Sequence, residues 1–83
     1  MGQNIKCHFL LFGVSRELLN QSAIPAEWPL GILVSDIRLK LNSLAPALIP
    51  LNYAIAINQV YAQDDIVVPD GAEIAVLPPV SGG

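Results

Sequence analysis

From Ile5 to Phe12 the chain alternates. Cys7, Phe9 and Leu11 fall on one side of an extended backbone, and Lys6, His8, Leu10 and Phe12 fall on the other. A period of two marks a strand with two faces, and the side without charge is expected to face the core. Ser15 then opens a short helical turn through Arg16-Glu17-Leu18-Leu19. Ala26 to Leu30 reads as a second strand. Pro25 and Pro29 each lack an N–H donor, which assigns that strand to a sheet edge.

Between Val34 and Leu44 the period changes. Val34, Ile37, Leu41 and Leu44 recur at spacings of three and four, which gathers them into one apolar stripe of a helix. Arg38, Lys40 and Asn42 are expected on its wet side. Ser35 or a neighbour is expected to cap its start, and Pro46 prevents its continuation.

The rest of the chain reads as strands again. Tyr53 to Ile57 is one, Asn58-Gln59 a tight turn, and Val60-Tyr61 a short return strand. Asp70-Gly71 is a second turn signal. The last strand, Ala72 to Leu77, places Ile74 and Val76 on one face and Glu73, Ala75 and Leu77 on the other. The order strand, strand, long helix, then two or three strands predicts an α+β fold. One main helix packed across a mixed sheet of four to five strands is the β-grasp arrangement. The helix is long enough to serve as a crossover between parallel strands. Residues 1–77 form the domain, and residues 78–83 an extended C-terminal tail.

Composition narrows what such a domain does. Of 83 residues, 53% are apolar and 13% charged, which argues for a folded globule rather than disorder. The net charge is −3, and Lys6, Arg16, Arg38 and Lys40 are the only basic residues. Four scattered cations cannot neutralise a run of phosphates, so no nucleic-acid partner is expected. The longest apolar stretch, Leu44 to Ile57, is broken by Pro46, Pro50 and Asn52. It falls short of the ~18–20 apolar residues a membrane span needs. No export or lipid signal is read, so a cytoplasmic location without membrane attachment is expected. With one cysteine and one histidine, no disulfide, metal cluster or His-paired nucleophile is expected.

The chemistry lies in the tail, Pro78-Pro79-Val80-Ser81-Gly82-Gly83. Two prolines favour an extended, unpaired backbone, and six extended residues reach at most ~20 Å. Gly82 and Gly83 carry no side chains, so they fit a channel too narrow for any other dipeptide. A terminal carboxylate is a poor electrophile. Adenylation makes it a mixed anhydride, and an unbranched glycine leaves that acyl carbon open to a sulfur or nitrogen nucleophile.

The run from Glu73 to Gly83 closely resembles the C-terminal signature of the molybdopterin synthase small subunits, in the MoaD/ThiS group of ubiquitin-like sulfur carriers. Gly13-Val14-Ser15-Arg16-Glu17-Leu18, Asn58-Gln59-Val60-Tyr61 and Asp70-Gly71-Ala72-Glu73 are similar to further stretches of that family. The resemblance is weakest over residues 20–33 and 45–52. It implies a ubiquitin-like β-grasp and a carrier that is not an enzyme on its own. An E1-like adenylyltransferase/sulfurtransferase would activate Gly83 with ATP to a glycyl adenylate. Sulfur would then make it 1-thioglycine, a thiocarboxylate. The tail would enter the large synthase subunit, in a heterotetramer, and give its sulfur to cyclic pyranopterin monophosphate in molybdenum cofactor biosynthesis. Ser81, Gly82 and Gly83 would occupy the partner's active site; no cofactor is bound intrinsically. A modifier that forms isopeptide bonds on lysines, or a sulfur carrier for thiamine thiazole or transfer-RNA thiolation, is the alternative.

Docking needs a surface as well as a tail. The strand phases leave Phe12 and Leu77 off the core face, with Tyr61 nearby, and these positions match the apolar contact surface of the resembled family. With Pro78, Pro79 and Val80 they form the expected partner interface. A second, minor core remains the alternative for Phe12 and Leu77. Cys7 is expected to be a buried, inert thiol and His8 a solvated strand residue. Asp64-Asp65 is read as a solvated pair, Asp70 as a turn residue and Trp28 as a packing residue.

Overall fold

The computed structural model describes residues 2–79. Five strands form one sheet in the order β2-β1-β5-β3-β4: β1 (Asn4–Leu11), β2 (Glu27–Pro29), β3 (Ala54–Ile57), β4 (Val60–Tyr61) and β5 (Ala72–Leu77). β1 and β5 run parallel at the centre, and every other neighbouring pair is antiparallel. Two α-helices, α1 (Val14–Leu18) and α2 (Val34–Leu44), are accompanied by 3₁₀ turns at Gln21–Ala23 and Pro46–Leu51.

The alternation read from the sequence is the alternation of burial through Phe9, but Leu11 is only half-buried and Ala75, read on the opposite face of β5, is buried as well. Ile5, Cys7 and Phe9 of β1 and Ile74 and Val76 of β5 are buried, with Val34, Ile37 and Leu41 of α2 in the same core. β2 lies at the edge and pairs with β1 alone, so Pro25 and Pro29 deprive no second neighbour of a donor. Its Trp28 is buried with its ring centroid 6.1 Å from that of Phe9, and the indole N–H donates to the Pro25 carbonyl at 2.7 Å. The β3–β4 turn holds Asn58 and Gln59 at φ 50° and 70°. Two left-handed residues give the turn whose twist suits a two-residue hairpin. At the other turn, Asp70 accepts the Lys6 N–H at 2.9 Å and Gly71 donates to the Lys6 carbonyl at 2.8 Å.

Several expectations about α2 need correction. At its start the capping side chain is that of a neighbour, Asp36, rather than Ser35. Leu33 is the N-cap, and the Asp36 carboxylate reaches back to accept its N–H at 3.0 Å. The N–H groups of Val34 and Ser35 donate to the Ile66 and Asp64 carbonyls, so a distant loop satisfies donors that a side chain was expected to meet. Leu44 is 37% exposed, because the chain leaves the helix and Leu48 of the following 3₁₀ turn is buried instead. Arg38 is only partly on the wet side. Its guanidinium lies 4.8 Å from the Tyr53 ring centroid, donates to the Tyr53 carbonyl at 2.8 Å and pairs with Asp64 at 3.0 Å. Asp64 is therefore an ion-pair partner rather than merely solvated.

Candidate functional site

The parallel register sets the site. Leu11 lies opposite Val76, so one step further along both strands Phe12 comes beside Leu77 and Gly13 beside Pro78. An antiparallel arrangement would have sent the two chain segments to opposite ends of the sheet. The start of the tail therefore emerges next to the β1–α1 corner.

On the outer face a row crosses four strands: Leu10 opposite Ala75, Ala75 opposite Ala56, and Ala56 opposite Tyr61. Two small residues between two large ones leave a hollow. The result is an open groove of about 320 Å³ lined by Leu10, Phe12, Ala56, Gln59, Tyr61, Glu73, Ala75 and Leu77. The structure thus brings Phe12, Tyr61 and Leu77 around one surface. Phe12 is 45% exposed and Tyr61 75%, so this face is not closed into a second core. Apolar surface continues past Tyr61 around the edge strand, where Val60, Ile66 and Val67 are also exposed.

Ser15 is fully buried at the corner. Its hydroxyl accepts the Phe12 N–H at 3.1 Å and donates to the Phe12 carbonyl at 2.6 Å, with the Val76 carbonyl 3.4 Å away. The Phe12 N–H also points to that Val76 carbonyl at 3.3 Å. Pro78 is half-buried and Pro79 exposed. Val80, Ser81, Gly82 and Gly83, the remaining tail residues singled out by sequence, lie outside the described residues.

The parity of the strands had placed Leu10, Glu73 and Ala75 off the core face without marking them as site residues. Ala56 and Gln59, and the meeting of all five around one groove, enter through strand register, which sequence alone does not supply. Ser15 was legible as the start of a helical turn, and its bonds to Phe12 are local; its contact with Val76, sixty-one positions away, was not.

The other polar candidates are accounted for locally. Cys7 is buried, and burial, with the nearby Asp70 charge, pushes its thiol above the ordinary range. That disfavours the thiolate on which sulfur chemistry depends. His8 is exposed on the outer face. Among the described residues no three His, Cys, Asp or Glu side chains converge as metal ligands, and no helix is long and apolar enough to cross a membrane.

A mixed five-stranded sheet of this order gripping one main helix is a ubiquitin-like β-grasp, and the groove and tail root make it one that presents a surface beside its C-terminal strand. Residues 9–83 match the ThiS family, and the chain belongs to that family. A molybdopterin synthase sulfur carrier subunit of Drosophila ananassae is 35% identical over 86 residues, covering 99% of this chain and 96% of the relative. Among solved structures, a Pyrococcus furiosus chain described as a putative molybdopterin converting factor, subunit 1, superposes with a TM-score of 0.69 at 22% identity, over 92% of this chain and 99% of that one. Small archaeal modifier protein 1 of Methanosarcina acetivorans gives 0.65 at 29% identity, over 100% and 99%.

Proposed function

We propose that this protein is the sulfur-carrier subunit of a molybdopterin synthase, working in the cytoplasm with Gly83 as the sulfur-bearing residue. One observation carries the reading: parallel pairing of β1 and β5 roots the tail at the rim of an open apolar groove. A partner seated on Phe12, Tyr61 and Leu77 therefore stands where it can receive the chain that follows. Family membership and the full-length similarity to sulfur carrier subunits support the same reading.

In the proposed cycle an E1-like adenylyltransferase joins the Gly83 carboxylate to ATP, releasing pyrophosphate and leaving an acyl adenylate. A persulfide sulfur attacks the acyl carbon and AMP departs. A thiol then cleaves the resulting acyl disulfide, leaving the thiocarboxylate and a disulfide on the donor side. Within the large subunit that sulfur bonds to a carbon of the pterin precursor, and water then cleaves the acyl–sulfur bond, leaving the sulfur on the precursor and returning Gly83 to a carboxylate. This chain supplies the acyl group and the docking face. Ser81 and Gly82 thread the partner's site, and proton transfer is the partner's work.

The test is mass spectrometry of the C-terminal peptide from the native cell, with reconstitution beside the large subunit. Replacement of one oxygen by sulfur at Gly83, and loss of that sulfur to the precursor, are the expected results. A chain lacking Gly83 should keep its thermal unfolding and lose transfer; equal transfer by the shortened chain would refute the proposal. The likeness to an archaeal modifier supports a second reading, conjugation to lysines, which would instead yield branched peptides ending in Gly82-Gly83.

A further inference from the structure

We propose that the β1–α1 corner aims the tail: Gly13 is a positioning residue that sets, through the Pro78 ring, the angle at which the chain leaves the sheet. The inference rests on the sulfur-carrier reading and deepens it.

The geometry is local and specific. Residues 12–15 form a tight turn, with Ser15 N–H donating to the Phe12 carbonyl at 3.2 Å. Gly13 takes its first corner at φ 58°, ψ −136°, a conformation that side-chain-bearing residues avoid. A β-carbon built there would meet Pro78 Cγ at 3.2 Å and Cδ at 3.8 Å. The absent side chain thus leaves the place in which the proline ring sits. Gly31 and Gly71 differ: they also have positive φ, but a β-carbon at either would have nothing within 4 Å.

The corner is also held fixed relative to the sheet. Ser15, buried beneath it, ties both backbone groups of Phe12, and the Phe12 N–H is shared with the Val76 carbonyl of β5. The surface that receives Pro78 and the strand that delivers it are therefore one rigid unit. Proline adds its own restraint, since its ring fixes φ at the first tail residue. A fixed ring seated on a fixed corner gives a defined departure direction at the rim of the groove. Direction matters because transfer demands that an acyl carbon be placed to within about an ångström, and an error of that size costs up to about 100-fold in rate.

The test uses single-turnover sulfur transfer from full-length chains whose Gly83 thiocarboxylate is installed by thiolysis of a C-terminal thioester, so that enzymatic loading cannot confound the result. Gly13→Ala, Pro78→Ala and the double variant are compared with wild type, each saturated with the large subunit. Pro78→Ala removes the ring at a surface position and leaves the turn intact, so it guards against a folding failure of Gly13→Ala. With every variant saturated by the large subunit, so that any change in affinity drops out, each single variant is expected to transfer roughly tenfold more slowly. The double variant should be no slower than the slower single one, because both act through one contact. Wild-type rates at saturation in Pro78→Ala, whether or not affinity falls, or rate losses that multiply in the double variant would each overturn the proposal. Failure of the wild-type thiocarboxylate to transfer would sink the sulfur-carrier reading and this inference with it; wild-type transfer with unaffected variants would sink the inference alone.

Discussion

Replacing Tyr61 by alanine separates docking from folding more cleanly than any other change on the groove. A tyrosine of this kind offers about 200 Å² of side-chain surface. Three-quarters of it is exposed in the free chain. Only about 50 Å² is therefore buried by folding, which at ~25 cal/mol per Å² contributes about 1 kcal/mol. The remaining ~150 Å² is available to a partner and corresponds to about 3–4 kcal/mol if wholly covered. Affinity for the large subunit should fall by a few hundred-fold, since each 1.4 kcal/mol is about tenfold. The isolated domain should lose about 4–8 °C in Tm. Isothermal titration of the large subunit, paired with thermal unfolding of the free variant, measures both quantities. Unchanged affinity with a larger drop in Tm would place Tyr61 in the fold's own packing and refute the docking argument. Phe12 is a poorer discriminator, because at 45% exposed its surface is divided almost evenly between the two roles.

The core gives a contrasting case: Ile37→Ala, at a fully buried position of α2, should cost about 2–5 kcal/mol in urea unfolding, and a cost below about 1 kcal/mol would mean that α2 is not packed as described. Gln59 sits at φ 70°, so Gln59→Gly should relieve left-handed strain and stabilise by about 0.5–1 kcal/mol; a lower unfolding midpoint would contradict this. Burial, the largest influence, raises the Tyr53 phenol above its ordinary range; the Asp64 charge adds to this, and the nearby Arg38 opposes it by charge and hydrogen bond. A raised value in the folded state means that its contribution is whole below about pH 10 and is lost as pH rises through the folded value. The Cys7 thiol, raised by burial and the Asp70 charge, acts in the same direction. The urea midpoint should therefore fall between about pH 8 and about pH 11, and a midpoint that rises would reverse the sign of the argument.

Elements with a local cause were legible along the chain before any packing was known. Period two in Ile5–Phe12 and Ala72–Leu77, period three-and-four in Val34–Leu41 and the prolines flanking Trp28 fix strand, helix and edge, because the side chains that create those patterns are neighbours along the chain. The sequence also marked Phe12 and Leu77 as outward-facing, since parity along a strand is enough to say which side a residue occupies. Which outward residues meet was a different matter. The row Leu10–Ala75–Ala56–Tyr61, the carbonyls of Asp64 and Ile66 at the start of α2, and the guanidinium of Arg38 over Tyr53 all join segments far apart in sequence. Register and loop closure decide such meetings, and neither is written in the pattern of a single segment. The same holds for Gly13 against Pro78: only the parallel pairing of the first and last strands makes those two residues neighbours, and with that pairing the root of the tail acquires a fixed support.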